Sequence, residues 1–133
     1  MKTFLLSVLV LSFLSLSANA DDDLDCGGGS HREEMVCQGK RLKSLDDKLN
    51  TIYKLALASM PETDQQDNRR DREQLRKSQR AWLVYVREQC ALEGGQQGGS
   101  NSWVSTFAGQ CLEKEYFSRI VFLQSIADHT FGG

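Results

Sequence analysis

Residues 75–90 read LRKSQRAWLVYVREQC. Leu75, Trp82, Leu83, Val86 and Cys90 recur at helical spacing, so they share one face of an α-helix, with Ser78 and Gln79 filling the turn between. That helix must build a core and hold one end of a crosslink. Upstream, residues 61–71 are almost wholly polar, and Glu62, Asp64 and Asp67 suit the positive end of a helix dipole. The helix is expected to run from about Thr63 or Asp67 to Ala91, with its first half skirting or projecting from the core.

On the N-terminal side, Leu42, Leu45, Leu49, Ile52, Tyr53, Ala56, Leu57 and Met60 form a second stripe, with Asp46, Asp47, Lys48 and Lys54 opposite. This predicts an amphipathic helix. It should stop near Met60, because Pro61 lacks an N–H and disfavours helical geometry in the residue before it. Earlier still, Ser30 followed by Glu33 or Glu34 predicts a short N-terminal helix carrying Cys37. Asp21, Asp22 and Asp23 with Gly27, Gly28 and Gly29 read as an exposed arm and turn. A phosphate-cradling loop would need a strand before those glycines and a lysine with Ser or Thr after them, and neither is there.

On the C-terminal side, Gly94, Gly95, Gly98 and Gly99 surround Gln96 and Gln97. Each glycine costs a helix interior about 1 kcal/mol relative to alanine, so residues 93–102 read as a loop. Ser100, Asn101 or Ser102 then caps a final helix containing Trp103, Phe107, Cys111, Leu112, Tyr116, Ile120, Leu123 and Ala127. Phe117, Val121, Phe122 and Ile126 widen its apolar face, which predicts a central helix touching both others, and residues 129–133 should fray. No run alternates with period two. The fold class is all-α: a small disulfide-stabilised bundle of three main helices plus a short N-terminal helix.

The ends and the totals set the compartment. Met1 and Lys2 open a run from Phe4 to Leu16 that is apolar apart from serines, and Ala18, Asn19 and Ala20 make a small-x-small cleavage site, so residues 1–20 read as a secretory signal peptide. Ser15, Ser17 and Asn19 close the run short of the about 20 apolar residues that a membrane span needs, and no cysteine stands directly after the cleavage point to take a lipid. Residues 21–133 are expected to form one helical domain, periplasmic or secreted and not inserted in a membrane. Loss of Lys2 leaves 15 basic against 18 acidic residues, a net charge of minus three. Both signs interleave between Glu62 and Glu88, so nucleic acid is not an expected partner.

Cys26, Cys37, Cys90 and Cys111 all lie in the exported part, and an even count in a short secreted chain predicts two disulfides. Three pairings exist, of which the simplest is sequential, Cys26 with Cys37 and Cys90 with Cys111. No two cysteines are two to four apart, and His31 and His129 sit at opposite ends, so no metal is expected. Serines are plentiful but no Ser and His pair is suggested, and adjacent carboxylates such as Asp46 with Asp47 or Glu33 with Glu34 diverge on a helix. The chain is not expected to be an enzyme or to use a cofactor.

Cys37, then Leu49, Asn50 and Tyr53, then Gln79, Ala81, Trp82, Arg87 and Cys90, then Gly98, Gly99 and Ser100, and finally Cys111, Leu112 and Arg119 make a series that resembles the LprI-type family of small exported bacterial proteins. The resemblance covers about Cys26 to Leu123. That family includes a mycobacterial lysozyme-inhibitor lipoprotein, and its fold is helical and disulfide-bonded. The usual arginine-aspartate step before the second motif cysteine is Arg87, Glu88 here, and the mycobacterial lipid attachment is missing.

The resemblance implies an exported binding protein whose partner is a protein, with inhibition of lysozyme-type cell-wall hydrolases as its activity. The alternative is an envelope interaction or structural module with no lysozyme-related activity. Asn50, Tyr53, Gln79, Trp82, Arg87 and Arg119 are read as mainly structural, with Asn50 and Gln79 in hydrogen bonds and Arg87 and Arg119 bracing helices around Cys90 and Cys111. Gly98, Gly99, Ser100 and Trp103 are the expected partner contacts, and Arg69, Arg70 or Arg72 the source of positive charge for a glycosidase cleft with two carboxylates.

Overall fold

The computed structural model describes residue 26 and residues 29–60 and 70–128 of the chain. The signal peptide, the acidic arm, residues 61–69 and the C-terminal tail lie outside the described residues. Three α-helices follow one another, α1 over His31–Ser59, α2 over Asp71–Gln97 and α3 over Asn101–Ala127, and no strand occurs among the described residues.

Ser30 does start a helix. Its Oγ accepts from the Glu33 N–H at 3.4 Å while the Glu33 carboxylate accepts from the Ser30 N–H at 2.8 Å, a reciprocal pair that satisfies two orphan donors. The helix is not short, however, and no separate N-terminal helix occurs among the described residues: the segment carrying Cys37 continues without a break to Ser59. The apolar stripe hides this continuity because the buried positions above Leu42 are Cys37 and the amide of Gln38. Met60 ends α1 in extended geometry, φ −95° and ψ 142°, as a residue preceding proline should.

The glycine stretch departs further from expectation. Gly94 and Gly95 are helical, α2 runs to Gln97, and the connection shrinks to residues 98–100. Gly98 and Gly99 take φ of +72° and +97°, a region L side chains rarely adopt, and so make the reversal. Gly94 is helical for a different reason. It is buried against α3, where an added Cβ would lie 2.6 Å from the Val104 carbonyl oxygen and 2.9 Å from the Ala108 Cβ. Close helix contact outweighs the propensity cost there.

Contacts fix the directions of the helices. Along α1 and α3 the numbers rise together, from His31 beside Trp103, through Gln38 beside Thr106 and Arg41 beside Glu113, to Ser59 beside Ile126, so the two run parallel. Along α2 and α3 they run oppositely, from Cys90 bonded to Cys111 to Gln79 beside Arg119. Helix α3 is central, and α1 and α2 pack on it while scarcely meeting each other. Among the described residues a direct hydrogen bond joins those two, the Arg72 Nε–H donating to the Leu57 carbonyl at 2.8 Å.

Two core clusters result. Leu49, Ile52, Ala56, Leu75, Ile120 and Leu123 form the larger one, where all three helices meet. Val86, Cys90 and Cys111 form the smaller, and Trp82 and Tyr116 pack against both. Leu75 is buried, so the start of α2 packs rather than projects. Because α2 has one neighbour for most of its length it buries a narrow stripe, and Leu83 stays outside it. Phe117 and Val121 of α3 also point outward, more than half exposed.

Both disulfides are sequential, Cys26 with Cys37 and Cys90 with Cys111, and no cysteine is free. Replacing Cys90 and Cys111 together by serine should cost about 3 kcal/mol of unfolding free energy, the loop-closure value for a bond of this span, as read by urea denaturation. Neighbouring glycines should respond with opposite signs. Gly95→Ala, where nothing lies within 4 Å of an added Cβ, should gain up to about 1 kcal/mol. Gly94→Ala should lose about 1–3 kcal/mol through overpacking. Equal effects at both positions would show that Gly94 is not a contact point.

Candidate functional site

The side chains singled out by sequence fall into three sets. The first is a brace between α2 and α3. Arg119 donates from Nε to the Gln79 Oε1 at 2.9 Å and from an Nη to the Ser78 Oγ at 3.0 Å. Its guanidinium lies 5.6 Å from the centroid of the Trp82 ring and 4.8 Å from that of Phe122, within cation–π reach of both. Gln79 is buried and Trp82 half-buried. Burial pulls the Arg119 guanidinium below its ordinary value, and Tyr53 acts in the opposite sense. A guanidinium stays charged through such a shift, so the brace holds at all ordinary pH.

The second set does not gather at one point, Asn50 and Tyr53 lying on α1 and Arg87 on α2. Asn50 is exposed and donates only along its own helix, to Asp46 at 3.2 Å. Tyr53 is half-buried against the larger core cluster. Arg87 is exposed and does not brace the cysteine pair. Burial raises the Tyr116 phenol above its ordinary value, with Asp46 adding to the rise and Arg87 opposing it.

The third set lies at the end of the bundle. The Gly98, Gly99 and Ser100 turn leads directly into Trp103, which is 46% exposed and stacks on His31 of α1 at 3.9 Å between ring centroids. Phe107 stands behind it at 6.0 Å. His31 is thus part of an ordered helix start, and its Nε2 is buried without a hydrogen-bond partner. The Cys90–Cys111 bond and the Gly94 contact hold this end stiff.

Two arrangements had no sequence signal strong enough to find them. Gln38, 5% exposed, donates from Nε2 to the Thr106 carbonyl at 2.9 Å and lies across Gly109, the one position of α3 with room for it. Arg41 bridges Glu34 at 2.8 Å and Glu113 at 3.0 Å, tying α1 to α3, and the Glu34 bond is the main reason its guanidinium is raised. A lone glycine inside the apolar α3 was the available hint for the first.

A shallow depression of about 290 Å³ between Met60, Gln74, Leu75, Phe122 and Ile126 contains Asp71 and Ser78 but no general base beside the serine. Among the described residues no group of three His, Cys, Asp or Glu side chains is placed to hold a metal. No helix among them is long and apolar enough to cross a membrane.

The fold and these places define a small disulfide-braced three-helix protein that presents a stiff end and long polar helix faces. The chain belongs to the LprI family: the family described as lysozyme inhibitor LprI matches residues 26–123. That description is of inhibitors rather than enzymes. An uncharacterized protein of Rhizobium meliloti is 36% identical over 72 residues, which cover 49% of this chain and 52% of the relative. The chain therefore spans about half the length of that relative. No solved structure matches it. The family and the two disulfides accord with an extracellular or periplasmic location.

Arg119→Ala should cost about 2–3 kcal/mol, since it removes charge-assisted bonds and leaves the Gln79 amide buried without its partner. Adding Gln79→Leu to that variant should restore part of the loss. Urea unfolding followed by tryptophan fluorescence reads both, and independent, additive effects would show that the two side chains do not act as a pair.

Proposed function

We propose that the chain is an exported binding protein, periplasmic or secreted after loss of residues 1–20, that inhibits lysozyme-type cell-wall hydrolases. Membership of the lysozyme inhibitor LprI family is the observation that carries this reading. The architecture supports it. A bundle crosslinked twice loses little conformational entropy on docking, so its contacts go into affinity. Trp103 at the stiff end is a half-exposed aromatic on a rigid base, the kind of residue that dominates binding energy in protein interfaces. Gly98, Gly99 and Ser100 beside it present backbone groups and a hydroxyl to a partner.

Purified mature chain should reduce the lytic activity of a c-type or a g-type lysozyme in a dose-dependent way at micromolar concentration. Trp103→Ala should weaken that inhibition about tenfold or more, the loss typical of an aromatic anchor, with the helical circular dichroism unchanged. Full activity of both lysozyme types at micromolar excess of the chain would overturn the reading.

A further inference from the structure

Inhibiting a glycosidase of this type means answering two carboxylates about 5–9.5 Å apart, and at the end of the bundle the turn and the start of α3 carry no cation, though exposed Arg32 follows His31 at the start of α1. Residues 94–104 contain neither lysine nor arginine. Of the arginines expected to serve, Arg69 lies outside the described residues, Arg72 donates to the Leu57 carbonyl at 2.8 Å, and Arg70 lies 3.6 Å from Glu73.

Among the described residues, a cluster of positive charge without carboxylate partners lies on α2. Between Glu73 and Glu88 that helix carries Arg76, Lys77, Arg80 and Arg87 and no acidic residue. Lys77 pairs with Glu73 at 3.1 Å, but no carboxylate among the described residues pairs with Arg76, Arg80 or Arg87, and all three are exposed. Their spacing of four and seven residues places them on one side of the helix. Leu83, 38% exposed, and Val84, 62% exposed, stand between the second and third. At 1.5 Å per residue the three arginines rise about 6 Å and then about 10 Å along the axis.

We propose that the α2 face bearing Arg76, Arg80 and Arg87 around Leu83 and Val84 is the surface that meets the carboxylates of the hydrolase cleft. The inference rests on the inhibitory reading above and adds its charged contact. Guanidinium forks suit paired carboxylates, and the long stems of arginines about 6 Å apart at the backbone let their heads converge on such a pair. Two aliphatic side chains are too little to seat a helix in a lipid interface, which takes a whole apolar face. They are enough for the dry centre of a protein contact with arginines at its edge.

The test is inhibition of hen c-type lysozyme by the mature chain carrying R76Q/R80Q/R87Q, R76E/R80E/R87E or K77Q, each checked for helical content. Lysozyme of this type is strongly basic, so long-range attraction alone makes the glutamate variant the better inhibitor. Carboxylate recognition makes it the worse one. The glutamine variant should lose at least about tenfold in inhibition, the glutamate variant more, and K77Q little. Unchanged or improved inhibition by the glutamate variant overturns the proposal while leaving the inhibitory reading intact. Failure of the unaltered chain to inhibit removes both. Loss of binding to phosphatidylglycerol vesicles by the arginine variants, with inhibition kept, would assign the face to anionic lipid instead and also overturn it.

Discussion

The close approach of α2 to α3 at Gly94 is the constraint on which the rest of this structure depends. A helix surface with a glycine at that point lets the backbone of one helix reach the side chains of the next, and the Cys90–Cys111 bond one turn away holds the two together. With that end closed, α2 and α3 must run antiparallel, and Trp82 comes to lie against Tyr116 at 5.4 Å between rings. Those two rings then join the small cluster at the disulfide to the larger one below. A chain of this size buries too little apolar surface to waste a crosslink on a loop that folds unaided.

Polar burial supplies the register that apolar packing leaves open. Hydrophobic stripes can slide by a turn with modest loss, whereas a buried amide or guanidinium is satisfied at one position only. Gln38 fixes α1 on α3 through the Thr106 carbonyl and the space at Gly109, and Arg119 fixes α2 on α3 through Gln79. Arg41 adds a half-exposed tie through Glu113, worth little by itself but consistent with the same register. This division of labour leaves the outer faces of α1 and α2 free of structural duty. Exposed arginines, aliphatics and Trp103 are therefore available for a partner without cost to the fold.

Much of the candidate site was legible in the residues, and the part that was not has a common cause. Gln79, Trp82 and Arg119 stood out by sequence, and they do come together. Asn50 and Arg87 stood out equally and lie apart from that brace, because side chains separated by dozens of residues meet only where helix rotation brings them. The arginine row on α2 was obscured by composition, since the acidic residues counted against it over residues 62–88 include none between Glu73 and Glu88.

The sequence by itself determined the helical class and the central place of α3, which follow from local periodicity, and made sequential disulfides the simplest of three pairings because each closes a short loop. It also marked Ser30 as a helix start, since a capping box is a matter of a few neighbouring atoms, and narrowed the start of α3 to Ser100, Asn101 or Ser102. Only the tertiary structure decided that α1 is one helix, that Gly94 and Gly95 are helical, and that Leu83, Phe117 and Val121 face outward. In each of these a long-range contact, or the lack of one, overrode a local preference of about 1 kcal/mol. Such preferences are too small to resist a buried amide, a close helix crossing or an absent neighbour.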